Sequence, residues 1–129
     1  MNIAVYCGSA SGNRPSFTEG AKALGSWIAQ NGHTLVYGGS RTGLMGVTAD
    51  AYVALPGGPG TLDEISEVIC LARLGIENKA CVLFDTDGYY QALKKIFEEM
   101  VEVGFSEKED FKRVLVSADL DEIERFIEQ

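Results

Sequence analysis

Apolar residues follow two alternating rhythms: short continuous runs, and longer stretches in which they recur every three or four positions. Ile3, Ala4, Val5, Tyr6 and Cys7 form the first run, closed by Gly8-Ser9, and read as a strand buried on both faces of a parallel sheet. Pro15 suits a first helical position. Phe17, Ala21, Leu24, Trp27 and Ile28 follow at helical spacing until Asn31-Gly32 ends the pattern as a C-cap. Thr34 to Tyr37 repeats the strand signal, Gly38-Gly39 repeats the glycine turn, and Gly43-Leu44-Met45-Gly46 opens a second helix. Tyr52 to Leu55 is the third strand. After Pro56 to Gly60, the residues Leu62, Ile65, Val68, Ile69 and Ala72 mark one helical face up to a stop at Gly75, and Lys79 to Phe84 is another apolar strand. Asp87 is placed to cap a helix over Tyr89 to Val103, with Leu93, Ile96, Phe97 and Met100 on its apolar face and Gly104 at its end. Val114 to Val116 is the last strand, and Ser117 or Asp119 caps a closing helix through Ile127.

Strand and helix alternate over all 129 residues, which predicts an α/β fold: a single nucleotide-binding domain over 1–129, Rossmann-like, with a doubly wound parallel sheet. Ligands of such sheets bind outside the carboxyl ends of the strands. One connection is too short. The helix that opens near Gly43 runs into the strand at Tyr52 with no turn residues between, and eight or nine helical residues span roughly 13 Å against about 17 Å for a typical strand. A segment is therefore expected to be missing near residues 48–52.

Composition narrows the function classes. Eleven Lys and Arg against 19 Asp and Glu leave a formal net charge of -8, which argues against a surface that holds nucleic acid through its phosphates. The charge is uneven: Arg14, Lys22 and Arg41 outnumber Glu19 and Asp50 in the first 60 residues, so that part can receive a small anion. Of the 15 glycines, 12 lie at or before Gly60, where backbone closely approaches something. Cys7, Cys70 and Cys81 form no C-x-x-C, have no His at metal-ligand spacing, and fit a reduced cytoplasmic setting. The apolar run that follows Met1 is too short for a signal segment or a membrane span.

Three glycine-bearing turns follow predicted strands: Gly8 to Gly12, Gly38 to Gly43, and Pro56 to Thr61. They meet at one sheet edge, where amides and helix dipoles favour phosphate. None spells G-x-G-x-x-G, and Leu44-Met45 stands where a P-loop needs Lys and Ser or Thr, so dinucleotides and nucleoside triphosphates are disfavoured and a mononucleotide remains. Glu64 is the carboxylate nearest that site, in the first turn of the helix after the most glycine-dense loop. Thr61-Leu62-Asp63-Glu64 also reads as a capping box serving stability. Glu67, one turn on, either tunes Glu64 or is a solvated helix residue. Arg41 either pairs with phosphate or is solvated. His33 reads as a turn residue at the opposite end, and Cys7 as a buried structural thiol.

Cys7-Gly8-Ser9, Val36-Tyr37-Gly38-Gly39 with Gly43-Leu44-Met45-Gly46, and above all Pro56-Gly57-Gly58-Pro59-Gly60-Thr61-Leu62-Asp63-Glu64 resemble the LONELY GUY family, whose fingerprint is P-G-G-x-G-T-x-x-E. The resemblance continues through Leu74-Gly75 and Asp87-Gly88-Tyr89-Tyr90 to the last helix. Members have often been labelled lysine decarboxylases. The resemblance implies a cytoplasmic, homodimeric phosphoribohydrolase that cleaves the N-glycosidic bond of AMP or a cytokinin riboside 5′-monophosphate, with no metal or organic cofactor and no membrane or nucleic-acid partner. It implies that Gly57, Gly58, Gly60 and Thr61 seat the phosphate, that Ser9 and Gly39 line the same pocket, and that Glu64 is catalytic. The family's catalytic arginine, on a helix just before the strand leading into P-G-G, has no counterpart here, at the place where the crossover is too short. A protein that binds a nucleotide without turning it over is the alternative. A pyridoxal-phosphate decarboxylase would need a Schiff-base lysine, and no Lys lies in or next to the three glycine loops.

Overall fold

A computed structural model describes residues 1–37 and 49–129. Strand β1 (Asn2–Tyr6) leads into helix α1 (Pro15–Gln30), then β2 (Thr34–Val36), β3 (Ala51–Ala54), α2 (Pro59–Arg73), β4 (Ala80–Phe84), α3 (Gln91–Glu102), β5 (Val114–Ser117) and α4 (Leu120–Ile127), with 3-10 turns at Thr86–Gly88 and Lys108–Phe111. Among the described residues the strands form one five-stranded sheet in the order β2-β1-β3-β4-β5, every neighbouring pair parallel. This is the flavodoxin-like order of a doubly wound sheet, in agreement with the Rossmann-like architecture expected. The order reverses between β1 and β3, the position at which such sheets hold ligands.

The alternation of side chains along the strands builds two cores. Ile3, Val53, Val82 and Phe84 pack with Leu24, Trp27 and Ile28 of α1 and with Ile123 and Ile127 of α4. Their neighbours Ala4, Tyr6, Tyr52, Cys81 and Leu83 face the other way, against Ile65, Val68 and Ile69 of α2, with Leu93 and Phe97 of α3 packed alongside. Strands β3 and β4 are buried at every position, as continuous apolar runs require when helices cover both faces.

Most helix ends follow the sequence signals. Pro15 opens α1, Asn31 caps it by donating from Nδ2 to the Trp27 carbonyl at 2.9 Å, and Gly32 turns out with φ of 69°. Gly75 and Gly104, with φ of 73° and 87°, end α2 and α3 in the same left-handed manner. Asp119 caps α4 by accepting from the amides of Asp121 at 2.9 Å and Glu122 at 3.2 Å. The start of α3 differs. Asp87 sits at φ 55° inside the 3-10 turn and caps nothing, while Asp85 accepts from the Tyr90 amide at 2.7 Å and from Gln91 Nε2 at 2.5 Å.

Further expectations are corrected. Cys7 is exposed, because β1 closes one residue earlier at Tyr6. Leu62 and Ile96, expected on apolar faces, are 44% and 52% exposed. His33 lies at the amino end of the sheet as expected, its ring 5.1 Å from that of Trp27. Asp50 anchors the entry to β3: Asn2 N donates to Asp50 Oδ2 at 2.6 Å and Asp50 N donates to the Asn2 carbonyl at 2.7 Å. The helix expected from Gly43, together with Gly39 and Arg41, lies outside the described residues.

Candidate active site

Two turns flank the reversal of strand order. The first follows β1; the second joins β3 to α2 through Leu55, Pro56, Gly57 and Gly58. Parallel pairing sets Tyr6 opposite Ala54, and the Leu55 amide donates to the Tyr6 carbonyl at 2.9 Å, so both turns leave the sheet side by side. Between them lies a cleft of about 270 Å³, lined by the Gly8-to-Gly12 turn, Phe17, the Pro56-to-Gly58 turn and Tyr89. The turns touch through glycine. A Cβ built on Gly57 would lie 2.8 Å from Thr61 Cβ and 3.0 Å from Gly8 N, so only a residue without one allows this approach.

Helix α2 opens on this cleft. Gly58 is its N-cap and Pro59 its first residue, with no side-chain capping hydrogen bond. The capping box expected from Thr61 and Glu64 is therefore not formed: the helix starts three residues earlier, Thr61 is buried against Gly57, and Glu64 falls in the second turn. The first amides of α2 lack intrahelical acceptors and point toward the cleft end of the helix, a setting that favours an anion.

Glu64 and Glu67, both half-buried, lie on the part of α2 that covers the end of β1. Tyr6 packs in the core on the same side of the sheet, with Ile65, Val68 and Ile69 of that helix. Its side chain is 3% exposed, its ring lies parallel to that of Tyr52 with centroids 6.1 Å apart, and its hydroxyl has no hydrogen-bond partner among the described residues. Burial, then the charge of Glu64, with smaller contributions from Cys81 and Glu67, push the phenol up to about 12.

The connection from β4 to α3 braces the second turn and the start of α1. Tyr89 Oη donates to the Gly57 carbonyl at 2.5 Å and its ring meets Phe17 edge-on at 5.8 Å. The buried Tyr90 hydroxyl donates to the Leu55 carbonyl at 2.7 Å. Ser16 Oγ donates to Asp87 Oδ2; Arg14 Nη1 stands 3.9 Å from the same oxygen, its guanidinium 5.5 Å from the centre of the Phe17 ring.

Of the residues singled out in the sequence, Ser9, Gly57 and Gly58 line the cleft. Gly60, Thr61, Glu64 and Glu67 stand on the first turns of α2 beside it, outside its lining. Sequence reading missed Tyr6, Phe17, Tyr89 and Arg14. Tyr89 belongs to the Asp87-to-Tyr90 stretch that carries part of the resemblance, whereas Tyr6 gave no signal inside its apolar run. Among the described residues, no group of three or more His, Cys, Asp or Glu is placed to hold a metal ion, and no helix is long and apolar enough to cross a membrane.

Residues 8–127 match the model of a family described as possible lysine decarboxylase. The chain is 35% identical to the probable cytokinin riboside 5′-monophosphate phosphoribohydrolase LOG4 of Oryza sativa subsp. japonica, over 80% of this chain and 66% of that protein. It is 34% identical to the cytokinin riboside 5′-monophosphate phosphoribohydrolase LOG7 of Arabidopsis thaliana, over 90% of this chain and 75% of that one. The chain belongs to the LONELY GUY family. It spans about two thirds to three quarters of the length of these LONELY GUY relatives. The alignments run over 151 and 164 positions, more than the 129 residues of the chain, so the relatives hold internal residues with no counterpart here.

Proposed function

We propose that this protein is a nucleoside 5′-monophosphate phosphoribohydrolase, releasing free base and ribose 5-phosphate from AMP or a cytokinin riboside 5′-monophosphate. The observation that carries the reading is the meeting of two glycine turns at the reversal of strand order, on a cleft onto which a capless helix opens, with Glu64 on that helix. The names of the relatives support the reaction type. In this reading the phosphate sits against the amides of Gly58, Gly60 and Thr61, with Gly57 and Ser9 around it. Gly39, which the resemblance adds to this site, and Arg41 lie outside the described residues.

Glu64 lies six residues into the helix from Gly58, a rise of about 9 Å at 1.5 Å per residue, which suits a carboxylate acting on the ribose of a nucleotide whose phosphate is held at the helix start. Cleavage of the ribosyl C–N bond builds positive charge on the sugar, and the Glu64 carboxylate beside C1′ stabilises it. Water oxygen bonds to C1′ as the bonding pair leaves with the base nitrogen; Glu64 takes the proton from water, and the departing base nitrogen takes one from solvent. Binding energy at the phosphate holds the ribose against the carboxylate. Glu67 supports Glu64 from the next turn.

The description as a lysine decarboxylase asks for a Schiff-base lysine, and among the described residues no Lys lines the cleft. The same proposal sets the protein in the cytoplasm, supported by three free cysteines, and pairs it as a homodimer. Protein recovered from cells with those thiols oxidised would count against the cytoplasm. The test of the reaction is incubation with AMP, following adenine and ribose 5-phosphate by chromatography. Glu64→Gln is expected to lower kcat by about two orders of magnitude or more while AMP still binds. Tight AMP binding by the parent with no release of adenine from it would instead favour the non-catalytic nucleotide binder.

A further inference from the structure

Strand β5 closes one side of the sheet, with β4 as its one neighbour among the described residues. The Cys81 amide donates to the Arg113 carbonyl at 2.8 Å and the Asp85 amide to the Ser117 carbonyl at 3.1 Å. Alternate residues of a parallel strand bond to the same neighbour, so Arg113, Leu115 and Ser117 serve β4, while the amides and carbonyls of Val114 and Val116 turn to the open edge. A groove of about 580 Å³, larger than the active-site cleft, lies along this edge and is lined from α3, the Lys108–Phe111 turn and α4. Its apolar wall holds Val114, Val116 and two half-buried rings, Phe97 and Phe111, stacked 4.8 Å apart with 21° between their planes. Four charged side chains line it as well: Lys94, Lys108, Glu98 and Glu122. Glu122 is committed, accepting from Ser117 Oγ at 2.5 Å. Lys94 and Lys108 are exposed, and among the described residues neither ammonium enters an ion pair. Two such cations against one uncommitted carboxylate, Glu98, give the groove an excess of positive charge on a chain whose net charge is -8.

We propose that this groove is a second ligand site, and that it takes a small anion with an apolar body, a medium-chain or aromatic carboxylate. The body covers the Phe97 and Phe111 rings and the valines, removing apolar surface from water. The carboxylate only accepts hydrogen bonds, and Lys94 and Lys108 donate to it as charged groups, with the open-edge amides of β5 as further donors. A mostly apolar lining with a few polar groups is the composition of small-molecule pockets. The groove stands apart from the nucleotide cleft, with β4 and β3 between β5 and the reversal of strand order.

Octanoate is the probe and octanamide its uncharged counterpart, each titrated into the nitrogen-labelled protein while amide resonances are followed. Octanoate is expected to shift the Val114 and Val116 amides saturably, and octanamide to bind about tenfold more weakly, the scale of a hydrogen bond to a charged group. No saturable shift of these amides at millimolar octanoate overturns the site, and equal affinity for the two probes overturns its preference for an anion. The double variant Lys94→Gln, Lys108→Gln is expected to bind octanoate as weakly as the parent binds octanamide; parental affinity in that variant also overturns the assignment. Glu98→Gln removes the uncommitted carboxylate and is expected to tighten octanoate severalfold, whereas weakened binding would contradict an anionic ligand. Every readout is binding alone, so each holds whether or not the protein hydrolyses AMP.

Discussion

Gly57 and Gly58 are neighbours in one motif with different physical duties. A methyl group on Gly57 would press on the Thr61 side chain and on the backbone of Gly8, whereas one on Gly58 meets nothing within 4 Å. Gly57→Ala is therefore expected to destabilise the fold by about 1–3 kcal/mol, as forced packing does, and Gly58→Ala to leave the thermal midpoint near that of the parent. Calorimetry of the two variants side by side separates them; equal midpoints would contradict the packing described. The glycine-rich motif was plain in the sequence, but not which glycine is sterically required, because that depends on a turn some fifty residues earlier in the chain. Glu64 was readable through its motif, yet its local role was misassigned: Thr61-x-x-Glu64 has the letters of a capping box, while Pro59, locked near helical φ, starts the helix first. Tyr6 was hidden because tyrosine contributes an apolar body to a strand pattern, and only the packed neighbours show where its polar tip ends.

The short connection from β4 to α3 shows how an element without chemistry of its own shapes a site. Asp85 fixes the start of α3, Asp87 takes a left-handed conformation beside Ser16 and Arg14, and Tyr89 and Tyr90 hold carbonyls at Gly57 and Leu55. Tyr89→Phe removes one of these donors at the cleft wall. It is expected to cost about 1 kcal/mol in stability and to raise KM for AMP severalfold with kcat little changed, the signature of lost uniform binding. Steady-state kinetics check this, and a fall in kcat at constant KM would contradict it. Helix stops at Gly32, Gly75 and Gly104 were readable because glycine alone adopts those angles without strain. The Asp87 cap was not, since an aspartate can also occupy the left-handed region and leave capping to a neighbour.

The order of elements and the parallel sheet followed from alternating runs of apolar residues, because a strand buried on both faces leaves no polar position to confuse the reading. The position of the cleft followed from strand order, which local patterns do not contain. Leu74, Ile76 and Phe105, just past the carboxyl ends of α2 and α3, are exposed apolar residues available to the proposed pairing of two chains, and the Arg73 guanidinium donates to the Phe105 carbonyl at 3.4 Å. Sedimentation velocity is expected to give twice the chain mass, and Phe105→Glu to give the single chain; a parent that sediments as a monomer would count against the dimer. The mutual hydrogen bonds of Asn2 and Asp50 carry a different kind of consequence. They clasp the first residue of β1 to the residue before β3, so the place where β3 begins is set by its neighbour strand and not by whatever chain arrives there. Doubling the length of a loop costs only about 0.6 kcal/mol in closure entropy. A clasp of this kind turns the approach to β3 into a splice point, where length can be gained or lost over generations while the strands downstream keep their register.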